Sequence, residues 1–347
     1  MEITQRQITR FKQIKSLDML RGLACLLVVL CHTEGTEFGQ TGVDFFLVIS
    51  GFMMMLSTDK AEGIQSYWIK RIKRIVPLYY GVTMFTTLLV VLFPFLFHSY
   101  EVSIEYVVKS LLFIPYYHNG IPGPIMALGW TLNYEMFFYL IFYIASVFSF
   151  KYRGITTCVI LATYSALGKI VNLPFVLDYY SDPIIIEFCF GIIAYCLYKQ
   201  NNGKNIIQNR KAILNTISIA TIVVAVVFMN HLMNLNSTIR GITVGLVAFV
   251  IVVILSIFDN QLVQFEVMTR LGKDSYQIYL LHPFIVRGID LILGKFIEHN
   301  LMTSAINLLI STIIIEIIVT IWRRNYAIFI KKQSLRMMID LRGKRNV

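Results

Sequence analysis

Paired cysteines are missing from this chain of 347 residues: its five, Cys25, Cys31, Cys158, Cys189 and Cys196, sit singly in apolar stretches with no Cys-x-x-Cys among them. That argues against a disulfide framework and a zinc site, and predicts no bound metal. Charge is sparse, at 15% of residues. There is no internal repeat, no low-complexity tract and no polar stretch long enough for a soluble domain, so any chemistry must occur within the apolar part of the chain or with a partner protein. No small-residue cleavage site follows the basic first fifteen residues, which predicts that the first apolar segment stays as an anchor.

What the chain has is apolar length. Apolar residues make up 56%, mean hydropathy is +0.67, and 25 phenylalanines fall in successive long runs. The expected fold is therefore an all-α integral membrane protein with about ten transmembrane helices. They are predicted near 17–33, 42–57, 76–97, 130–150, 154–172, 183–199, 212–230, 239–258, 276–296 and 303–322. The segment 104–116 is long enough only for an interfacial or re-entrant helix. With both the N- and C-termini cytoplasmic, 26 of the 31 lysines and arginines lie on the inner side, the bias that orients membrane proteins. The net charge of +11 then calls for no nucleic acid. The predicted organisation is a membrane-embedded domain over 1–330 and a basic cytoplasmic tail over 331–347, suited to anionic membrane lipids.

Ionisable residues inside such spans are costly unless they face a partner, a cavity or a substrate path. Arg21 and His32 both lie in the first span. Eleven helical steps bring His32 to within about 20° of Arg21 and about 16 Å further along, so the two face the same way at different depths. Asp18 shares that face at i,i+3 from Arg21 and is expected to neutralise it. Lys70, Arg71, Lys73 and Arg74 lie at the inner mouth of the third span, with Arg71 and Arg74 on one helical face. By contrast Asp44, Glu135 and Glu187 map, like His32, to outer helix halves, and Glu34 and Glu37 beside His32 read as solvated. Glu135 or Asp44 is expected to orient His32, with capping of its own helix the alternative for Asp44. Cys31 points about 100° away from His32 and reads as packing, and Arg287 and Asp290 read as a pair one turn apart. His282, beside Pro283, reads equally as a packed residue or as a proton relay. Glu316 has no evident partner.

Five segments break their apolar runs with polar residues: Ser16 to Gly22 leading to His32; Gly42 to Phe52; Arg71 to Tyr80; Gly129 to Tyr139; and Leu271 to Pro283. Together, in this order, they resemble the bacterial acyltransferase-3 family, and the wording of the second and fourth resembles its exopolysaccharide acetyltransferase branch. The resemblance covers nearly the whole chain. It implies that Arg21 and His32 are the family's arginine and catalytic histidine. It also implies that Arg71 and Arg74 are its basic pair for the acyl-CoA donor, with Lys73 and Tyr80 placed beside them.

The implied function is an integral membrane O-acyltransferase of the bacterial cytoplasmic (inner) membrane. It would move an acyl group, expected to be acetyl, from acetyl-CoA or another acyl-CoA to a sugar hydroxyl. The acceptor would be a surface polysaccharide or a lipid-linked oligosaccharide precursor, with polysaccharide-assembly proteins as potential partners. The catalytic set is His32 as general base, Glu135, Asp44 and Arg21; the donor set is Arg71, Arg74, Lys73 and Tyr80. No permanently bound cofactor is expected. The main alternative is a proton-coupled transporter or flippase using His32, Glu135 and Glu187 as a relay; a third reading is a non-catalytic scaffold.

Overall fold

Apolar runs separated by short polar connections fold here into a bundle of long helices, seen in a computed structural model that describes residues 13–33, 38–59, 64–96, 102–118, 121–201, 211–295 and 300–343. Glu34, Glu37, Lys60, Lys204 and Arg210 lie outside the described residues. In chain order the helices are α1 (Lys15–Cys31), α2 (Gly42–Thr58), α3 (Ile64–Leu92), α4 (Ile104–Leu111), α5 (Gly129–Phe148), α6 (Arg153–Leu167), α7 (Phe175–Tyr180), α8 (Ile186–Asn201), α9 (Lys211–Leu232), α10 (Ser237–Ile257), α11 (Glu266–Leu293) and α12 (Leu301–Gly343).

Among the described residues, six helical stretches are long and apolar enough to cross a membrane: Tyr67–Leu92, Gly129–Phe148, Pro183–Asn201, Asn215–Leu232, Ser237–Ile257 and Leu301–Arg324. Their outer faces carry many exposed large apolar side chains, as a membrane bundle requires. The other four expected spans, now α1, α2, α6 and α11, are helical too. The first three are short, at 17, 17 and 15 residues, and α11 spreads charged residues such as Lys273, Asp274 and Arg287 along its length. The expected single helix over 104–116 differs: α4 ends early, Phe113 turns at φ 57°, and Tyr116–His118 pairs antiparallel with Ile121–Gly123. Two helices start well before their predicted spans: α3 at Ile64, continuing through the Lys70–Arg74 cluster, and α11 at Glu266. At the other end α12 runs unbroken past residue 330.

Two glycine crossings seat the motif-bearing helices. A Cβ on Gly22 would lie 2.4 Å from the Met268 carbonyl oxygen, and one on Gly272 would lie 1.7 Å from that of Asp18. So α1 and α11 cross backbone to backbone, the small-residue packing that membrane helices use when no hydrophobic gain separates lipid from protein. Gly51 and Gly191 do the same for α2 and α8, at 2.1 Å from the Phe188 and 2.0 Å from the Val48 carbonyl oxygens. Hydrogen bonds then fix the neighbours: Ser16 Oγ donates to the Leu255 carbonyl at 2.8 Å, and the Tyr276 hydroxyl to that of Ile75 at 2.6 Å.

Candidate active site

The α1–α11 crossing places Arg21 in a cavity lined by α1, α2, α3, α5 and α11. Arg71 and Arg74 enter it from α3 and Glu135 from α5. The Arg71 guanidinium donates to the Tyr67 hydroxyl and lies 5.7 Å from the Tyr139 ring centre. Glu135 Oε1 accepts from Ser50 Oγ at 3.2 Å and from the Tyr139 hydroxyl. Arg21 feels the charges of Arg74, Asp18, Arg71 and Glu135. Three guanidinium groups against one carboxylate leave an excess of positive charge in a low-dielectric space. Such a site suits a phosphate-bearing anion, which planar forks bind through charge-assisted hydrogen bonds.

Lys73 and Tyr80 are not among the residues lining this cavity. Two and nine residues from Arg71, they point about 200° and 180° away on α3. Asp18 accepts from Gln13 Nε2 at 2.6 Å, so its bonded partner is not Arg21. Glu316 does have a partner: Arg270 lies 3.2 Å away.

His32 stands at the other end of the same helix, as the residue that ends α1. Its Nδ1 is 2.8 Å from the Val28 carbonyl oxygen, a contact only an N–H can make favourably. The proton is thereby assigned to Nδ1, which leaves Nε2 with the lone pair. The Cys31 thiol donates to the same carbonyl at 3.2 Å. His282 packs edge-on against His32, with ring centres 4.9 Å apart. It is fully buried, with Nδ1 3.2 Å from the Ile278 carbonyl and Nε2 unpartnered.

His32 opens on a polar chamber with about 1130 Å³ of free space. Trp130 and Tyr134 give it aromatic surface; Gln40, Asp182, Ser237 and Arg240 give it hydrogen-bonding groups. Aromatic faces beside amide and carboxylate oxygens suit a ligand with apolar C–H faces and many hydroxyls. Val43 and Tyr279 line both this chamber and the arginine cavity, so the two adjoin.

Neither expected carboxylate is a hydrogen-bond partner of His32. Asp44, fully buried in the first turn of α2, pairs with Arg240 of α10 at 2.8 Å. Glu135 faces the arginine cavity, which His32 does not line. Glu187 is fully buried against Asp44 and lines neither space, so His32, Glu135 and Glu187 do not line one common cavity. The Val28 carbonyl stands where a carboxylate was expected. Sequence reasoning also missed Ser50, Tyr67, Tyr139 and Arg240 as neighbours of these groups. A lone acid such as Asp44 in an apolar helix demands a cation, and Arg240 was one of few on the outer side, so that pairing had a signal.

The chain matches the family described as an acyltransferase domain over residues 14–321. It is 31% identical over 259 residues to the exopolysaccharide production protein ExoZ of Rhizobium meliloti (strain 1021), covering 72% of this chain and 77% of that one. A protein provisionally named acetyltransferase ORF330, from Acidianus two-tailed virus, is 30% identical over 289 residues, covering 77% and 81%. YrhL of Bacillus subtilis (strain 168), provisionally named a peptidoglycan O-acetyltransferase, is 30% identical over 169 residues, covering 43% of this chain and 26% of its own length. No solved structure matches.

Proposed function

The chain belongs to the acyltransferase-3 family and is a multi-pass membrane acyltransferase, and from that premise we propose that it moves an acyl group, acetyl in the simplest case, from acyl-CoA to a sugar hydroxyl. The acceptor is a surface polysaccharide or its lipid-linked precursor, and the membrane is the bacterial inner membrane, crossed ten times with both termini cytoplasmic. The observation that carries this reading is His32, held at Nδ1 by the Val28 carbonyl and lining a polar chamber that adjoins a cavity lined by three arginines. The names of ExoZ and YrhL support a glycan acceptor.

In this reading the CoA phosphates lie against Arg71, Arg74 and Arg21, and the thioester reaches along α1 toward His32. The sugar occupies the chamber of Trp130, Tyr134 and Gln40. His32 Nε2 takes the proton of the acceptor hydroxyl as its oxygen attacks the thioester carbonyl carbon. The tetrahedral intermediate then expels the CoA sulfur, which recovers that proton from Nε2. One C–O bond forms, one C–S bond breaks, and no net proton is gained or lost. The Val28 carbonyl holds the ring and its tautomer, the task a carboxylate performs in many triads.

The test is O-acyl content of the host's surface glycan by NMR, before and after mild base, in a deletion strain. Complementation with wild type should restore the acyl signals, while His32→Ala, or Arg71→Ala with Arg74→Ala, should not. Equal acylation in all strains would sink the glycan assignment.

A further inference from the structure

A third cavity is used by neither step above. It is apolar, with about 1050 Å³ of free space, and it opens on the side of the bundle between α3 and α11. Phe85 and Leu89 form a stripe on α3; Phe284, Gly288 and Leu291 form one on α11, each at helical spacing. Phe85 and Phe284 meet edge-on at 5.3 Å. The lips are open to the surroundings, Phe85 at 49% and Leu291 at 52% exposure. At the middle of the α11 wall a Cβ on Gly288 would find no atom within 4 Å. At its inner end the groove reaches His32, and Arg287 adds a positive charge along its wall.

Resting on the acyl-transfer reading, we propose that this groove holds the hydrocarbon chain of an acceptor carried on a lipid phosphate, which enters sideways from the bilayer. Three observations commit it to that occupant. An apolar channel on the outside of a membrane bundle is filled by hydrocarbon, since polar groups have no partners there. The groove shares His32 and Leu128 with the polar chamber, so a chain lying in it delivers its head group to the base. It shares no lining residue with the arginine cavity, so a chain lying in it leaves the donor's phosphate site open. Arg287 complements the charge of a phosphate between chain and sugar.

The experiment uses the purified full chain in nanodiscs and a photoactivatable polyisoprenyl phosphate without sugar, with octanoyl-CoA and phosphatidylglycerol as competitors. Wild type should be labelled within 85–89 and 284–291. Gly288→Trp and, from the opposite wall, Leu89→Trp should weaken labelling at least tenfold. Gly81→Leu, at a helical site that also has no atom within 4 Å of a Cβ and lies outside the groove, should not. Labelling spread evenly over the lipid-facing surface would overturn the proposal, as would equal labelling of all variants. Loss of octanoyl-CoA binding in Gly288→Trp would give the groove to the donor's chain. Displacement by equimolar phosphatidylglycerol would reduce it to a contact with bulk lipid. If labelling behaves as expected while the glycan test fails, the groove stands and the acyl-transfer reading falls.

Discussion

The arginine cavity and the histidine chamber are reached by the same helix, yet their key groups are held in different ways. Around Arg21, the side chains are ionic and tied to one another: Arg71 to Tyr67, and Glu135 to Ser50 and Tyr139. Around His32, aromatic faces and an amide surround a ring held by a backbone carbonyl, and the chamber adjoins an apolar groove. A binding site for a multiply charged ligand needs several fixed cations, and those cations must be satisfied when the ligand is away. A base needs the reverse, a lone pair left free and a neighbourhood that does not permanently charge it. His282 packs edge-on against the His32 ring, with centres 4.9 Å apart, and limits how that ring can turn. In the proposed function, affinity belongs to one end of α1 and chemistry to the other.

The largest expected effect comes from breaking the chemical end alone. His32→Ala should lower kcat by about 10²- to 10⁴-fold, the usual span for a general base, while acyl-CoA still binds with near wild-type Kd by calorimetry. Matched loss of donor binding would mean that the two ends are not separate.

Next is the converse. Arg71→Ala or Arg74→Ala should weaken donor binding by about 10- to 100-fold each, following the roughly 1.5–3 kcal/mol of a charged hydrogen bond, with kcat at saturating donor falling far less. Dephosphorylated donor fragments should lose the distinction between wild type and variant. A kcat effect without a Kd effect would move these arginines out of the donor site.

Sharper still is His282, a positioning residue in this account. His282→Ala should lower kcat about tenfold, within the 1–1.5 kcal/mol scale of one neutral contact, with donor Kd unchanged. His282→Gln, which keeps a hydrogen-bonding group in place of the ring nitrogen, should recover part of it. Equal, unrescued losses in both variants with a lowered melting temperature would make His282 a packing residue only.

The pattern of what was legible follows from what periodicity carries. Spacing along one helix put Arg21 and His32 on one face and Arg71 beside Arg74, and these residues line the cavities accordingly. The same rule, applied to Lys73 and Tyr80, would have turned them away from that face. The helices themselves were legible because long apolar runs leave the backbone no other way to satisfy its hydrogen bonds. Which helix stands opposite which was not. Asp44 meets a cation 196 residues away, and His32 meets His282 across the α1–α11 crossing, contacts that no local pattern encodes. The glycines that permit that crossing were visible within the motifs, but their role needs the neighbour's backbone to be seen.

The smallest effect belongs to a charge pair that serves neither end. Asp59, following α2, pairs with Lys199 of α8 at 2.6 Å, and both side chains are substantially exposed. Desolvation works to raise the Asp59 carboxyl, but hydrogen bonds from Lys199 and Tyr195 outweigh it and hold the group below its ordinary 3.8. A carboxyl depressed in the folded state adds stability above its unfolded value and loses it as pH falls through the lower folded one. The contribution is thus intact at neutral pH and disappears only in acid below about pH 3.8. Asp59→Asn should therefore cost less than about 1 kcal/mol at neutral pH, and the difference from wild type should vanish in acid melts. Donor Kd should not move, because a solvated charge outside the cavity is screened. A donor Kd that rose in step with the Arg71 and Arg74 variants would show that affinity depends on the charge of the whole end of the bundle and not on the guanidinium groups that line the cavity.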